Sequence, residues 1–177
     1  QTEQIIQRIE AQGKENDCPI WIVAPGLHEG LLGIYAGKVA EKYGVPAIIG
    51  TFVDEQQSIV KASGRTVGDF NLFSYLQLEI AKSDVLSGKY GVFSESMPKQ
   101  EKDAIIDTSL KDWFLKFGGH AAAIGLSMDY DKFEQASKVQ MPRPTMEVSN
   151  QTLISTKHIP EISQILNKYR PFGSGHT

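Results

Sequence analysis

Pro19-Ile20-Trp21-Ile22-Val23-Ala24-Pro25-Gly26-Leu27-His28-Glu29-Gly30, running on through Leu31–Tyr43 to Ala47–Val53, is where the chain declares its architecture. Ile20–Ala24 is a short apolar run of β-formers held between two prolines, which predicts a buried strand. Gly26-Leu27-His28-Glu29-Gly30 follows as a turn-rich connection. Leu31–Tyr43 then reads as a helix, with Leu32, Ala36, Val39, Ala40 and Tyr43 on one stripe. Gly44 and Pro46 supply its stop, and Ala47–Val53 begins the next strand.

Outward from this unit the same signals recur. Residues 1–12 predict a helix with Ile5, Ile6 and Ile9 on one face, stopped by Gly13, and Lys14–Asp17 is a polar loop. Ser58–Ala62 is expected as a strand, paired with its predecessor through a hairpin at Asp54–Gln57. Asn71–Lys82 predicts a helix with Leu72, Phe73, Leu76 and Ile80 inward and Asp69 or Asn71 as its cap. Residues 83–108 are polar, broken by glycine and proline, and match no template. Trp113–Phe117 reads as the end of a helix stopped by Gly118-Gly119, Ala121–Met128 as a strand of small residues, and Asp131–Val139 as a short helix. Met141-Pro142-Arg143-Pro144 has the composition of a linker. Beyond it, Met146–Ile154 alternates like a strand, and Ile159, Ile162, Ile165 and Tyr169 share a helical face, with Pro160 in the first turn. The expected fold class is α/β: a mixed β-sheet flanked by helices, with a short C-terminal strand–helix extension leading toward a further segment.

Composition narrows the function classes. With 177 residues, 41% hydrophobic and 22% charged, the chain is long enough and apolar enough for an ordinary core. It holds no apolar run of the ~20 residues a membrane span needs, and no secretion signal opens it. The chain starts at Gln1, from which continuation upstream is expected. A single cysteine, Cys18, excludes an internal disulfide and a cysteine-cluster zinc site, and a reducing, cytoplasmic setting is the expectation. A net charge of −3 excludes binding of polyanions through bulk charge, so any nucleic-acid contact must be local.

Three loops carry chemistry. Gly26–Gly33 joins a strand to a helix and places backbone N–H groups at a helix start, which suits an anion; a tight turn capped by His28 is the plainer alternative. It lacks the Gly-Lys-Ser/Thr of a phosphate-binding loop. Lys61-Ala62-Ser63-Gly64-Arg65-Thr66 offers cations, hydroxyls and an unhindered glycine, the needs of a phosphodiester; a solvated turn is the alternative. Phe117-Gly118-Gly119-His120-Ala121-Ala122-Ala123 pairs close backbone approach with a side chain that titrates near neutrality, against the alternative of a structural histidine. Its alanines predict that something large packs against that strand. No Asp and His residues cluster at metal-ligand spacing, Gly-x-Ser-x-Gly is absent, and Cys18 reads as a buried, inert thiol. Groups that bind phosphate are present, while groups that cleave it are not.

In this order the loops resemble the DHH-associated domain of the DHH phosphoesterases in its RecJ form. Pro25-Gly26-Leu27-His28-Glu29-Gly30-Leu31-Leu32-Gly33-Ile34 is similar to Gly-Trp-His-x-Gly-Val-x-Gly-Ile, with Leu27 in place of the usual Trp. Ser63-Gly64-Arg65-Thr66 resembles Ser-x-Arg-Ser, and Phe117–Leu126 resembles Phe-Gly-Gly-His-x-x-Ala-Ala-Gly. Tyr169-Arg170-Pro171-Phe172-Gly173-Ser174-Gly175 resembles Pro-Phe-Gly-x-Gly-Asn, with His176 where Asn is usual.

The resemblance implies that residues 1–13 end a linker helix from a catalytic domain outside the chain. It makes residues 18–140 the DHH-associated substrate-binding domain, and 141–177 a linker and the start of an OB-like segment. It implies His28, Gly30, Ser63, Gly64, Arg65, Thr66, Gly118, Gly119 and His120 as substrate contacts, with His120 touching the scissile phosphate. It implies single-stranded DNA and the N-terminal DHH domain of the same polypeptide as partners, with no membrane. The intact enzyme would hydrolyse DNA 5′ to 3′ in DNA repair and recombination, using Mn2+ or Mg2+ bound by that other domain, with no metal held by this segment. A nanoRNase or cyclic-dinucleotide phosphodiesterase of the same superfamily, or a stand-alone nucleic-acid-binding module, are the competing readings.

Overall fold

The computed structural model describes residues 1–54, 56–86, 96–141 and 143. The chain divides into Gln1–Thr145 and Met146–Thr177, and the described residues all lie in the first unit. The strand and helix expected over 146–169, and the Pro171–Gly175 loop, lie outside the described residues.

A helix α1 (Thr2–Ala11) precedes strand β1 (Ile20–Val23). A 3-10 turn (Glu29–Leu31) leads into α2 (Leu32–Tyr43), and β2 (Ala47–Phe52) and β3 (Ile59–Arg65) follow. Then come α3 (Leu72–Leu86), α4 (Lys99–Trp113), β4 (Lys116–His120), β5 (Ala123–Asp129) and α5 (Tyr130–Ser137). The strands form one mixed sheet in the order β1-β2-β3-β5-β4, with only β1 and β2 parallel. The expected class, a mixed β-sheet flanked by helices, is the one observed among the described residues.

Local chemistry explains the element ends. Gly44 caps α2 in the left-handed region, φ 67°, a conformation glycine adopts without a Cβ penalty. Asn71 accepts from the Ser74 N–H at 2.9 Å and so caps α3. The β2–β3 hairpin lacks Asn-Gly; Asp54 closes it instead, accepting from the N–H groups of Ser58 and Ile59 at 3.0 and 2.8 Å. These bonds, with that of the Ser58 hydroxyl foremost, hold the Asp54 carboxyl below its usual range.

Two cores sit on opposite faces of the sheet. Ile20, Ile22, Ala47 and Ile49 pack under α1 and α2 with Ile5, Ile9, Ala36 and Val39. Trp21, Ile48, Val60, Ala62, Ile124, Leu126 and Met128 face α3 and α5, where Trp21 meets Phe133 edge-on at 5.0 Å. Cys18 is buried, and burial raises its thiol pKa, in keeping with an inert residue.

Four expectations change. Of Trp113–Phe117 only Trp113 is helical, as the last residue of α4: the backbone turns extended at Phe114, and Phe117 stacks on Phe114 and Phe73 at 4.6 and 4.9 Å from within β4. Trp113 and Phe117 imitate helical spacing, but cross-strand pairing and the aromatic stack decide. Gly118 and Gly119 therefore lie inside a strand rather than behind a helix. β3 runs through to Arg65, so Ser63-Gly64-Arg65 is strand and not loop. Ala121 and Ala122 form an exposed two-residue turn between β4 and β5 rather than the start of a strand.

Candidate nucleic-acid interface

Directly paired residues in antiparallel strands point to one side of a sheet, and successive residues to alternate sides. β3, β5 and β4 thereby carry three rungs on the face that α2 partly covers. Arg65, Ala123 and His120 form the first rung, Ser63, Gly125 and Gly118 the second, and Lys61, Ser127 and Lys116 the third. The intervening Ala62, Ile124 and Leu126 point into the core. Over β5 and β4 this face is open. A Cβ built on Gly118 or Gly125 would meet nothing within 4 Å, and both glycines are exposed. The arrangement is a shelf with a backbone floor, walled by α2 and edged by cations.

Arg65 is half-buried and held flat along its strand. Its Nη1 donates to the Gly64 carbonyl at 2.8 Å and to Ser63 Oγ at 3.1 Å, and Ser63 Oγ donates onward to the Ile124 carbonyl at 3.1 Å. α2 can approach so closely because Gly33 lacks a side chain. A Cβ there would lie 2.5 Å from Arg65 Nη2 and 3.3 Å from Ser63 Oγ. Among the described residues neither Arg65 nor Lys116 has a carboxylate partner. Their charge is available to an anion.

His28 and His120 share one local device. The Nδ1 of each accepts from the backbone N–H two residues on, Gly30 at 3.1 Å and Ala122 at 3.4 Å. That bond occupies the Nδ1 side of each ring and leaves Nε2 as the nitrogen that can meet a ligand. The β4–β5 turn that presents His120 is tied down by its own carbonyls: Leu72 N–H donates to Ala121 at 3.0 Å and Thr66 N–H to Ala122 at 3.3 Å. His120 is therefore exposed but anchored to the end of β3.

The remaining expected contacts have other surroundings. Gly30 follows His28 in the 3-10 turn, beside the shelf, where Glu29 forms an ion pair with Lys61. That pairing, chiefly through the Lys61 hydrogen bond, holds the Glu29 carboxyl below its usual range. Gly64 faces the core, where a Cβ would meet Ile124 Cγ1 at 2.6 Å and Leu72 Cδ2 at 3.0 Å. Gly119, φ 139°, backs onto the Ala123 carbonyl oxygen, 2.2 Å from a would-be Cβ. The Thr66 hydroxyl donates to the Val67 carbonyl at 3.3 Å, within its own turn. Ser63, Arg65, Gly118 and His120 are brought together on the shelf, with the His28–Gly30 turn at its wall.

Motif reading includes Gly33 and Gly125 without giving either a place on the sheet face, and it misses Lys116 and Ser127. The place of Gly33 is visible only once α2 is seen to pack over β3. The other three follow from period-2 alternation in β4 and β5, hidden while Trp113–Phe117 reads as helix.

No family model matches the chain. Among curated proteins it is similar to the single-stranded-DNA-specific exonuclease RecJ of Haemophilus influenzae, 30% identical over 129 residues, covering 73% of this chain and 17% of that protein. RecJ of Bacillus subtilis is 35% identical over 75 residues, 42% of this chain and 9% of the relative. RecJ of Salmonella typhimurium is 29% identical over 111 residues, 63% of this chain and 14% of the relative. The chain thus spans at most about a sixth of the relatives' length. Among solved structures, RecJ of Thermus thermophilus in complex with Mn2+ superposes with a TM-score of 0.56 at 19% identity, over 97% of this chain and 22% of the other. At that identity the match speaks for the fold, a mixed sheet with flanking helices. The motif resemblance and the similarity over whole segments point to the same proteins.

Proposed function

We propose that this chain is the strand-gripping segment of a RecJ-like exonuclease that hydrolyses single-stranded DNA from the 5′ end. The observation that carries the reading is the first rung of the shelf, where a guanidinium with no carboxylate partner among the described residues and an imidazole bonded through Nδ1 to its own turn stand on either side of Ala123. Arg65, backed by Ser63, binds a phosphate through charge-assisted hydrogen bonds. Gly118 lets the sugar–phosphate chain lie against the sheet. The Nε2–H of His120 donates to a non-bridging oxygen of the scissile phosphate, where negative charge grows as the oxygen of the attacking water bonds to phosphorus.

Among the described residues no three His, Cys, Asp or Glu side chains converge as a metal site requires. These residues therefore do not fit Mn2+ or Mg2+, and the ions belong in this reading to an N-terminal DHH domain of the same polypeptide. The reading extends to a cytoplasmic role in DNA repair and recombination, supported by the resemblance alone. No described helix is long and apolar enough to cross a membrane.

Two measurements test the proposal. The 177-residue chain with Mn2+ or Mg2+ should bind a labelled single strand without shortening it. In the intact exonuclease, His120→Ala should lower turnover by roughly 10²–10³-fold while strand affinity and metal content hold. Loss of bound metal in that variant would assign His120 a different role, and unchanged turnover would leave it a structural histidine.

A further inference from the structure

The proposed function gives the third rung of the shelf no role. Lys61, Ser127 and Lys116 lie in direct register on the same face as Arg65 and His120. Four residues separate the two rungs along each outer strand, about 13 Å at the rise of a β-strand. Both lysines are exposed. Lys116 has no carboxylate partner among the described residues, while Lys61 is engaged by Glu29 from the turn before α2. Beyond this rung, β5 ends in Asp129, which ion-pairs with Lys132 at 3.5 Å and closes the cationic strip with negative charge.

We propose that Lys116, Ser127 and Lys61 form a second phosphate subsite, taking a phosphodiester further along the strand held at Arg65 and His120. The inference rests on the first rung gripping DNA and adds a direction: the strand runs along β4 and β5, across Gly118 and Gly125, toward Lys116. A separation of about 13 Å covers about two to four nucleotide steps, depending on how far the strand is stretched from its stacked rise of ~3.4 Å. A thymidine dinucleotide cannot reach both rungs, whereas a hexanucleotide can. The subsite carries a built-in competitor. Glu29 pairs with Lys61, so a phosphate competes with that carboxylate for the ammonium group. Contacts of this type follow the backbone and carry no base preference.

The test measures binding of both oligonucleotides to the 177-residue chain over a range of salt concentrations. Lys116→Gln should weaken the hexanucleotide about fivefold, lower the steepness of its salt dependence by about 0.7, and leave the dinucleotide unchanged. Glu29→Gln, which keeps the side chain's size but frees Lys61, should strengthen hexanucleotide binding and steepen its salt dependence. Equal hexanucleotide affinity for parent and Lys116→Gln, with Arg65→Ala still weakened, would overturn the second subsite and leave the first intact. Absence of binding by the parent chain to either oligonucleotide would overturn both. A Lys116→Gln effect equal on both oligonucleotides would also overturn it, because the lysine would then belong to the first rung.

Discussion

Arg65 and His120 stand at opposite ends of one rung, each in direct register with Ala123, so two strand spacings of about 4.8 Å separate their backbones. A phosphate bound between them can take a charged fork from one side and an imidazole N–H from the other. Neither loop motif implies that geometry alone. It arises because β5 lies between β3 and β4 in the sheet.

Arg65→Ala should weaken single-strand binding on the order of tenfold or more, since a hydrogen bond to a charged group contributes roughly 1.5–3 kcal/mol. Arg65→Lys should recover part of that loss, because it keeps the charge and gives up the planar fork. Titration of a fluorescent oligonucleotide gives the affinities, and an unchanged circular dichroism spectrum shows the fold is kept. Equal affinity for parent and alanine variant would remove Arg65 from the interface.

Gly33→Ala separates stability from binding. The new methyl would lie 2.5 Å from Arg65 Nη2, the far end of a flexible side chain, so the guanidinium shifts and the backbone stays. Near the start of a helix, alanine in place of glycine stabilises by up to about 1 kcal/mol. The expected result is an equal or higher melting temperature with strand affinity reduced several-fold. A variant that binds like the parent would show that the position of Arg65 is immaterial.

The adjacent glycines of β4 should respond in opposite ways. Gly118→Ala adds a methyl into open space, so the chain should fold normally and bind less well. Gly119→Ala forces an L-residue to φ 139° and drives its Cβ against the Ala123 carbonyl, at a cost of ~3 kcal/mol or more. Thermal denaturation of the two variants distinguishes them directly. Similar melting temperatures would contradict the strand register of the hairpin.

Tyr75 sets an alkaline limit. Its hydroxyl is buried with no hydrogen-bond partner among the described residues, and desolvation, aided by the charge of Glu79, pushes its pKa from 10 to about 12. The folded state thus keeps a proton that the unfolded chain releases near pH 10. The associated stability is complete below pH 10 and is lost as pH rises from 10 toward 12. Denaturant melts of the parent and Tyr75→Phe should diverge in slope only in that window, with the parent losing stability faster. Parallel curves would show that the hydroxyl reaches solvent.

Much of this protein is decided locally and can be read in the chain. Apolar runs between prolines specify β1, the stripe from Leu32 to Tyr43 specifies α2, and Gly44 and Asn71 end or begin helices through their own backbone and side-chain chemistry. Each of those signals lies within a few residues of its effect. The three phosphate-suited motifs are equally legible, because charge, hydroxyls and glycine are properties of composition. Their assembly is not. Whether Gly64 faces the ligand or the core depends on the register of β3 on β5, a relation between residues some 60 positions apart that no local period encodes. Trp113–Phe117 imitates a helix until Phe117 finds Phe73 across the fold. Gly33, Lys116 and Ser127 acquire meaning only when α2 and β5 come to lie beside β3, since a site made of opposed rungs exists only in the folded sheet.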